Sequence, residues 1–133
     1  SEMRAALRDK QIAFLHLMFE NGDFGFFDTH LHYIHKNQAM YYAKVGDNEK
    51  AIEHLRHAAE HALRFVKHMN KEPYTSLLFR NMPAGSFATT GTDNDAAELL
   101  NSMRQPVFDN IRDTEAFKSI RNELSAYAGK WDV

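Results

Sequence analysis

The stretch from Asn48 to Asn70, NEKAIEHLRHAAEHALRFVKHMN, decides the fold class. Within it Ile52, Leu55, Ala59, Ala62, Val66 and Met69 recur at spacings of 3, 4, 3, 4 and 3 residues, the period of a helix that packs along one side. The spacing predicts a helix over 48–70. Just ahead of it, Gly46-Asp47-Asn48 offers a glycine suited to a left-handed helix end, followed by two candidate N-caps. A preceding helix over about 26–45 then folds back on the first through a tight joint, as an antiparallel pair.

Working outward, Phe27, Leu31, Ile34, Tyr41 and Val45 fall on one side of that preceding helix, and Tyr33, Lys36, Met40 and Lys44 on the opposite side. Met3, Leu7, Phe14 and Met18, widened by Leu15 and Phe19, form a helical stripe over about 2–20. The aromatic run around Phe24, Phe26 and Phe27 reads as a packing plug before the second helix. Downstream, Pro73 interrupts the helical pattern. Residues 81–92 are rich in turn formers and read as a loop. Helices follow over about 93–103 and 114–129, with a break at Gln105-Pro106 between them and Thr114 as a cap. The reading is an all-α chain of about five helices, with residues 1–133 forming one regulatory or interaction domain.

Composition narrows the function. The 133 residues include six glycines and three prolines, too few for an all-β domain that turns every ten residues. The absence of cysteine excludes a disulfide scaffold, a thiol nucleophile and any cysteine-ligated metal, and it fits a reducing cytoplasm. A formal net charge of −2, without a basic cluster, argues against direct hold on DNA or on an anionic membrane. No apolar run is long enough to span a bilayer. No nucleophile elbow, phosphate-binding loop or dinucleotide fingerprint is present, so neither an enzymatic role nor a cofactor is expected. Asp23-Phe24-Gly25 matches the magnesium tripeptide of kinases without any of its companion motifs.

Eight histidines are the compositional oddity. His57-Ala58-Ala59-Glu60-His61 fits the H-x-x-E-H pattern of inverted zinc peptidases, in which two histidines four apart on a helix share one metal. A histidine-rich metal-binding bundle, possessing His57, His61 and His54 with help from His16, His30 or His32, is therefore the alternative reading. Helical phase weighs against it. At about 100° per residue, His54, His57, His61 and His68 lie opposite the centre of the Leu55–Ala62 stripe. His16 lies opposite Leu7, Phe14 and Met18. These histidines are accordingly expected on a half-exposed polar face or a packing edge, with no metal bound.

The segment Tyr33–Leu63 resembles a tetratricopeptide repeat: Tyr42, Gly46, Ala51, Leu55 and Ala58 stand where the repeat has its aromatic, its turn glycine and its small and large apolar positions. It departs at His35, Gln38 and Ala39. Over nearly the whole chain, Tyr74-Thr75-Ser76-Leu77-Leu78, then Phe108-Asp109-Asn110-Ile111-Arg112-Asp113, then Phe117-Lys118-Ser119-Ile120 make it similar to the C-terminal tetratricopeptide-like domain of Firmicute XRE-type helix-turn-helix transcriptional regulators. The resemblance implies antiparallel helix pairs in a right-handed array and a non-enzymatic, cytoplasmic role in sensing or protein interaction. The partner is then a peptide, a small effector, a protein subunit or a second copy in a homodimer. DNA is reached only through an N-terminal headpiece that this chain lacks. Helical phase and the repeat alignment together place Tyr33, Lys36, Met40 and Lys44 on the ligand- or peptide-binding face.

Overall fold

The computed structural model describes residues 1–19, 22–25, 27–69 and 94–129. The expected loop at 81–92, the Tyr74–Leu78 segment and the side chains of His68 and Met69 lie outside the described residues. Among the described residues there are five helices, α1 Glu2–Met18, α2 Phe27–Val45, α3 Asn48–Met69, α4 Asp95–Met103 and α5 Glu115–Ser125, and a 3-10 turn at Pro106–Phe108. The described residues contain no strand. The last helix stops at Ser125, four residues before its expected end, and the chain continues in turns to Gly129.

Local chemistry sets each boundary. Gly46, at φ +88°, ends α2. Its N–H donates to Ala43 O at 3.3 Å, and the Asp47 N–H donates to Tyr42 O at 2.8 Å, the paired bonds of a Schellman motif. Asp47 Oδ1 then accepts from the Lys50 N–H at 3.2 Å, so one residue both closes α2 and caps α3. Contacts between Asp28 and His61 and between His35 and His54 give the antiparallel register of α2 on α3. Asn94 Oδ1 caps α4 at Ala97 N, and Asn94 Nδ2 donates to the carbonyls of Tyr127 and Ala128. The start of α4 is thereby fastened to the chain after α5.

α3 is the central helix, with α2, α4 and α5 all packed on it. The main core joins Leu55, Leu99, Met103, Phe108, Ile111, Phe117, Ile120 and Leu124 with the alanines at 39, 43, 51, 58, 59 and 62. Small residues between α2 and α3 let the two backbones approach closely, while the bulky ones fill the wider space toward α4 and α5. A second apolar cluster, Leu15, Phe19, Phe24 and Leu31, seals α1 against α2. Along α2 the buried polar residues His32, His35 and Gln38 separate Leu31 of this cluster from Ala39 of the main core.

α1 is rotated from its expected apolar stripe, of which Leu15 and Phe19 are buried and Met3, Leu7, Phe14 and Met18 are not. Met3, Leu7, Phe14, Leu17 and Met18 face outward, Met3 at 75% and Leu17 at 71% exposure, while Ala5 and Leu15 are buried. Val45, expected on the apolar side of α2, is also exposed. Polar contacts hold α1 in this orientation: Gln38 Nε2 donates to Ala5 O at 2.9 Å and to Asp9 Oδ1 at 2.8 Å, and Gln38 Oε1 accepts from Arg8 Nε. Among the described residues no helix is long and apolar enough to cross a membrane.

Candidate functional site

The histidines converge in a polar layer where α1, α2 and α3 meet. His35 of α2 stands at its centre. Its ring lies 5.6 Å from that of His61 at an interplanar angle of 10° and 5.0 Å from that of His57. Its Nδ1 is 2.9 Å from Nδ1 of His54. Tyr42 stacks on His54 at 5.5 Å. From α1, His16 meets the rings of Phe24 and His61 edge-on. His61 Nδ1 is 2.8 Å from Asp28 Oδ1, and both residues are buried.

Of the histidines expected on a half-exposed polar face or packing edge, His54 and His57 are half-buried and His16 is exposed, whereas His61 is buried, at 4% exposure, as is His35 of α2. The reason is that α3 is covered on two sides. Its Leu55–Ala62 stripe contributes to the main core, and its histidine stripe meets α2, with His16 of α1 beyond. Phase tells which residues share a face, but a second packed helix can bury the face opposite the apolar one.

Two imidazole nitrogens 2.9 Å apart can form one hydrogen bond only if one ring donates and the other accepts, so His35 and His54 cannot both carry a proton at Nδ1. Burial, followed by the neighbouring histidines His61, His54, His57 and His16, pushes His35 down to about 2. Burial also lowers His54 and His16. At neutral pH the centre of the layer is therefore uncharged imidazole. His35 Nε2 is buried without a hydrogen-bond partner.

The H-x-x-E-H residues do not assemble a peptidase centre. Glu60 is exposed and lies 3.5 Å from His57 Nδ1, whereas His61 turns inward to Asp28. Among the described residues the group of three donors that lies within 4.8 Å is His32, Asp95 and Glu98, which includes none of His54, His57 and His61. Asp28 and Asp95 were not singled out in the sequence, and His35 and Gln38 stood out there only as departures from the repeat pattern and, for His35, as one of eight histidines. Their available signal was the spacing of Asp28, His32, His35 and Ala39 at 4, 3 and 4, which marks a buried helix face that happens to be polar.

Of the expected binding residues on α2, Lys44 is exposed and Tyr33 is partly so, while Lys36 Nζ sits 4.8 Å over the Tyr33 ring. The Tyr33 hydroxyl donates to Glu98 of α4. Burial and that carboxylate raise the Tyr33 pKa well above the ordinary phenol value. Met40 packs against the main core, so it belongs partly to the scaffold. Beside the outward stripe of α1, Gln11, Phe14, Leu15, Phe27, His30 and Ile34 line a groove of about 330 Å³ between α1 and α2.

No protein-family model, curated protein or solved structure matches the chain.

Proposed function

We propose that this chain is a non-enzymatic regulatory domain that works by association, and that its association surface is the outward face of α1 paired with a second copy. The observation that carries the reading is the exposure of Met3, Leu7, Phe14, Leu17 and Met18 along one helix. A contiguous apolar patch of a few hundred Å² on a folded domain marks an interaction site. A stable pair needs about 800 Å² from each partner, so the adjoining groove has to contribute alongside the stripe.

A second copy fits because projection and recess stand side by side. Phe14 both belongs to the stripe and lines the groove with Phe27 and Ile34. A two-fold axis across α1 sets the stripe of each copy against the groove of the other, as an isologous interface requires. The resemblance to the tetratricopeptide-like domains of helix-turn-helix regulators supports a role for such a pair in positioning two DNA-binding headpieces. The Gly46 hairpin and the alanine-lined contact of α2 with α3 are in keeping with that likeness.

Light scattering across a dilution series tests the proposal. The wild-type chain should change from dimer to monomer on dilution, and Leu7→Glu with Phe14→Glu should be monomeric throughout. Both positions are exposed, so the melting temperature at high dilution should stay within about 2 °C, corresponding to the small effects of surface substitutions. A wild-type chain that is monomeric at every concentration, or a double variant that still dimerises, would count against it.

A further inference from the structure

We propose that His32, Asp95 and Glu98 form a binding site for a first-row divalent metal ion of the zinc class, joining α2 to the first turn of α4. The proposal is independent of the α1 surface. One nitrogen or oxygen from each of the three residues lies within 4.8 Å of the other two. His32 Nδ1 and Asp95 Oδ2 are already 3.1 Å apart. Zinc bound tetrahedrally at about 2.0–2.2 Å from its ligands holds neighbouring donors about 3.4 Å apart. The His32–Asp95 pair thus needs to open by a few tenths of an ångström, and Glu98, which is only partly buried, needs to swing inward.

The surroundings favour a cation over an ordinary packing role. Acidic residues are usual in the first turn of a helix, and that accounts for the presence of Asp95 and Glu98. It does not account for the burial of Asp95, at 7% exposure, against a fully buried histidine. Among the described residues, neither carboxylate has a lysine or arginine within ion-pair distance. Asp95 pairs with His32 and Glu98 accepts from the Tyr33 hydroxyl, so the two carboxylates share one imidazole and one phenol, and a divalent ion would supply the positive charge that no lysine or arginine brings to them.

The geometry also fixes the ligands. The His32 ring stacks on the Tyr33 ring at 4.7 Å and 18°, which holds the plane of the imidazole. The Tyr33 hydroxyl donates to Oε2 of Glu98, leaving Oε1 to turn to the ion. Coordination through Nδ1 requires the tautomer with its proton on Nε2, an atom that is buried without a hydrogen-bond partner, so metal binding has to outweigh that unpaired N–H. One imidazole and two carboxylates suit zinc, cobalt or manganese. Three protein ligands leave a further position open to water or to an effector's carboxylate.

The test uses the untagged chain, stripped with chelator and titrated with Co²⁺ and Zn²⁺ by calorimetry and visible absorption. The expected result is saturation at one equivalent per chain, with cobalt absorption bands and a raised melting temperature. Glu98→Gln should weaken binding by more than about tenfold, and Asp95→Asn with Glu98→Gln should abolish it. His57→Gln should leave it unchanged. Circular dichroism confirms that each variant is folded, and Glu98→Gln, at a partly exposed position, keeps the test available if the double variant unfolds. Absence of saturable binding at micromolar metal, survival of binding in Glu98→Gln, or loss of binding in His57→Gln overturns the assignment.

Discussion

Gln38 governs where α1 sits. It is fully buried, and its amide bonds to Arg8, to the Ala5 carbonyl and to Asp9, three partners on one helix. Gln38→Leu keeps the volume roughly constant but leaves those groups without their bonds, and a buried group stripped of its partner costs about 1–3 kcal/mol. The expected outcome is local: hydrogen exchange should accelerate across α1 while the amides of α3 keep their protection. Uniform loss of protection across the chain would show that Gln38 holds the whole fold and not α1 alone. Nothing in apolar periodicity marks such a residue. Its repeat-like position holds an apolar residue in the tetratricopeptide pattern, and the departure there was visible in the sequence, but its partners are 29 to 33 residues away and only the folded chain brings them together.

Among the elements, the α2–α3 joint was legible and the orientation of α1 was not, for the same physical reason. A turn is specified by the residues inside it. Gly46 supplies a positive φ, and Asp47 supplies a cap, with no help from elsewhere. A Cβ placed on Gly46 would meet nothing within 4 Å, so Gly46→Ala costs backbone strain alone. That strain is about 1–2 kcal/mol for a residue forced into the left-handed region. The melting temperature should fall by roughly 3–10 °C, and Gly46→Asn, which tolerates that region better, should lose less. Equal losses for the two variants would show that the left-handed turn is not what limits stability there. The face that α1 presents depends instead on distant groups: Gln38 draws Ala5 and Asp9 inward, and His16 follows toward Phe24 and His61. The apolar stripe read alone finds Leu15 and Phe19 but turns Met3, Leu7, Phe14 and Met18 inward as well.

At the scale of the whole molecule, the histidine layer makes stability depend on pH in a way that composition alone did not reveal. Eight histidines suggested a metal site or a solvated face, but the charge-free centre follows only from α1, α2 and α3 together. His35 faces His16 from α1 and His54, His57 and His61 from α3, with Asp28 beyond His61; Asp9, Glu53 and Lys50 act on His54. Above pH 6.5 a histidine is neutral in both the folded and the unfolded chain, and its titration contributes nothing to the balance. Below 6.5 the unfolded chain takes a proton that buried His35, held down to about 2, refuses. Stability is therefore lost as the pH falls. Between pH 7.5 and 5.5 the loss from His35 alone is about 1.4 kcal/mol, and His54 and His16, lowered for the same reason of burial, add to it in the same direction. The urea midpoint should thus decline across this range, and His35→Gln should flatten the decline. If that variant is too unstable to measure, the imidazole resonances of the wild-type chain give the same answer: His35 should not titrate above pH 5. A midpoint that is constant from pH 7.5 to 5.5, or a His35 resonance that titrates near 6.5, would mean that the layer is open to water and carries charge when folded.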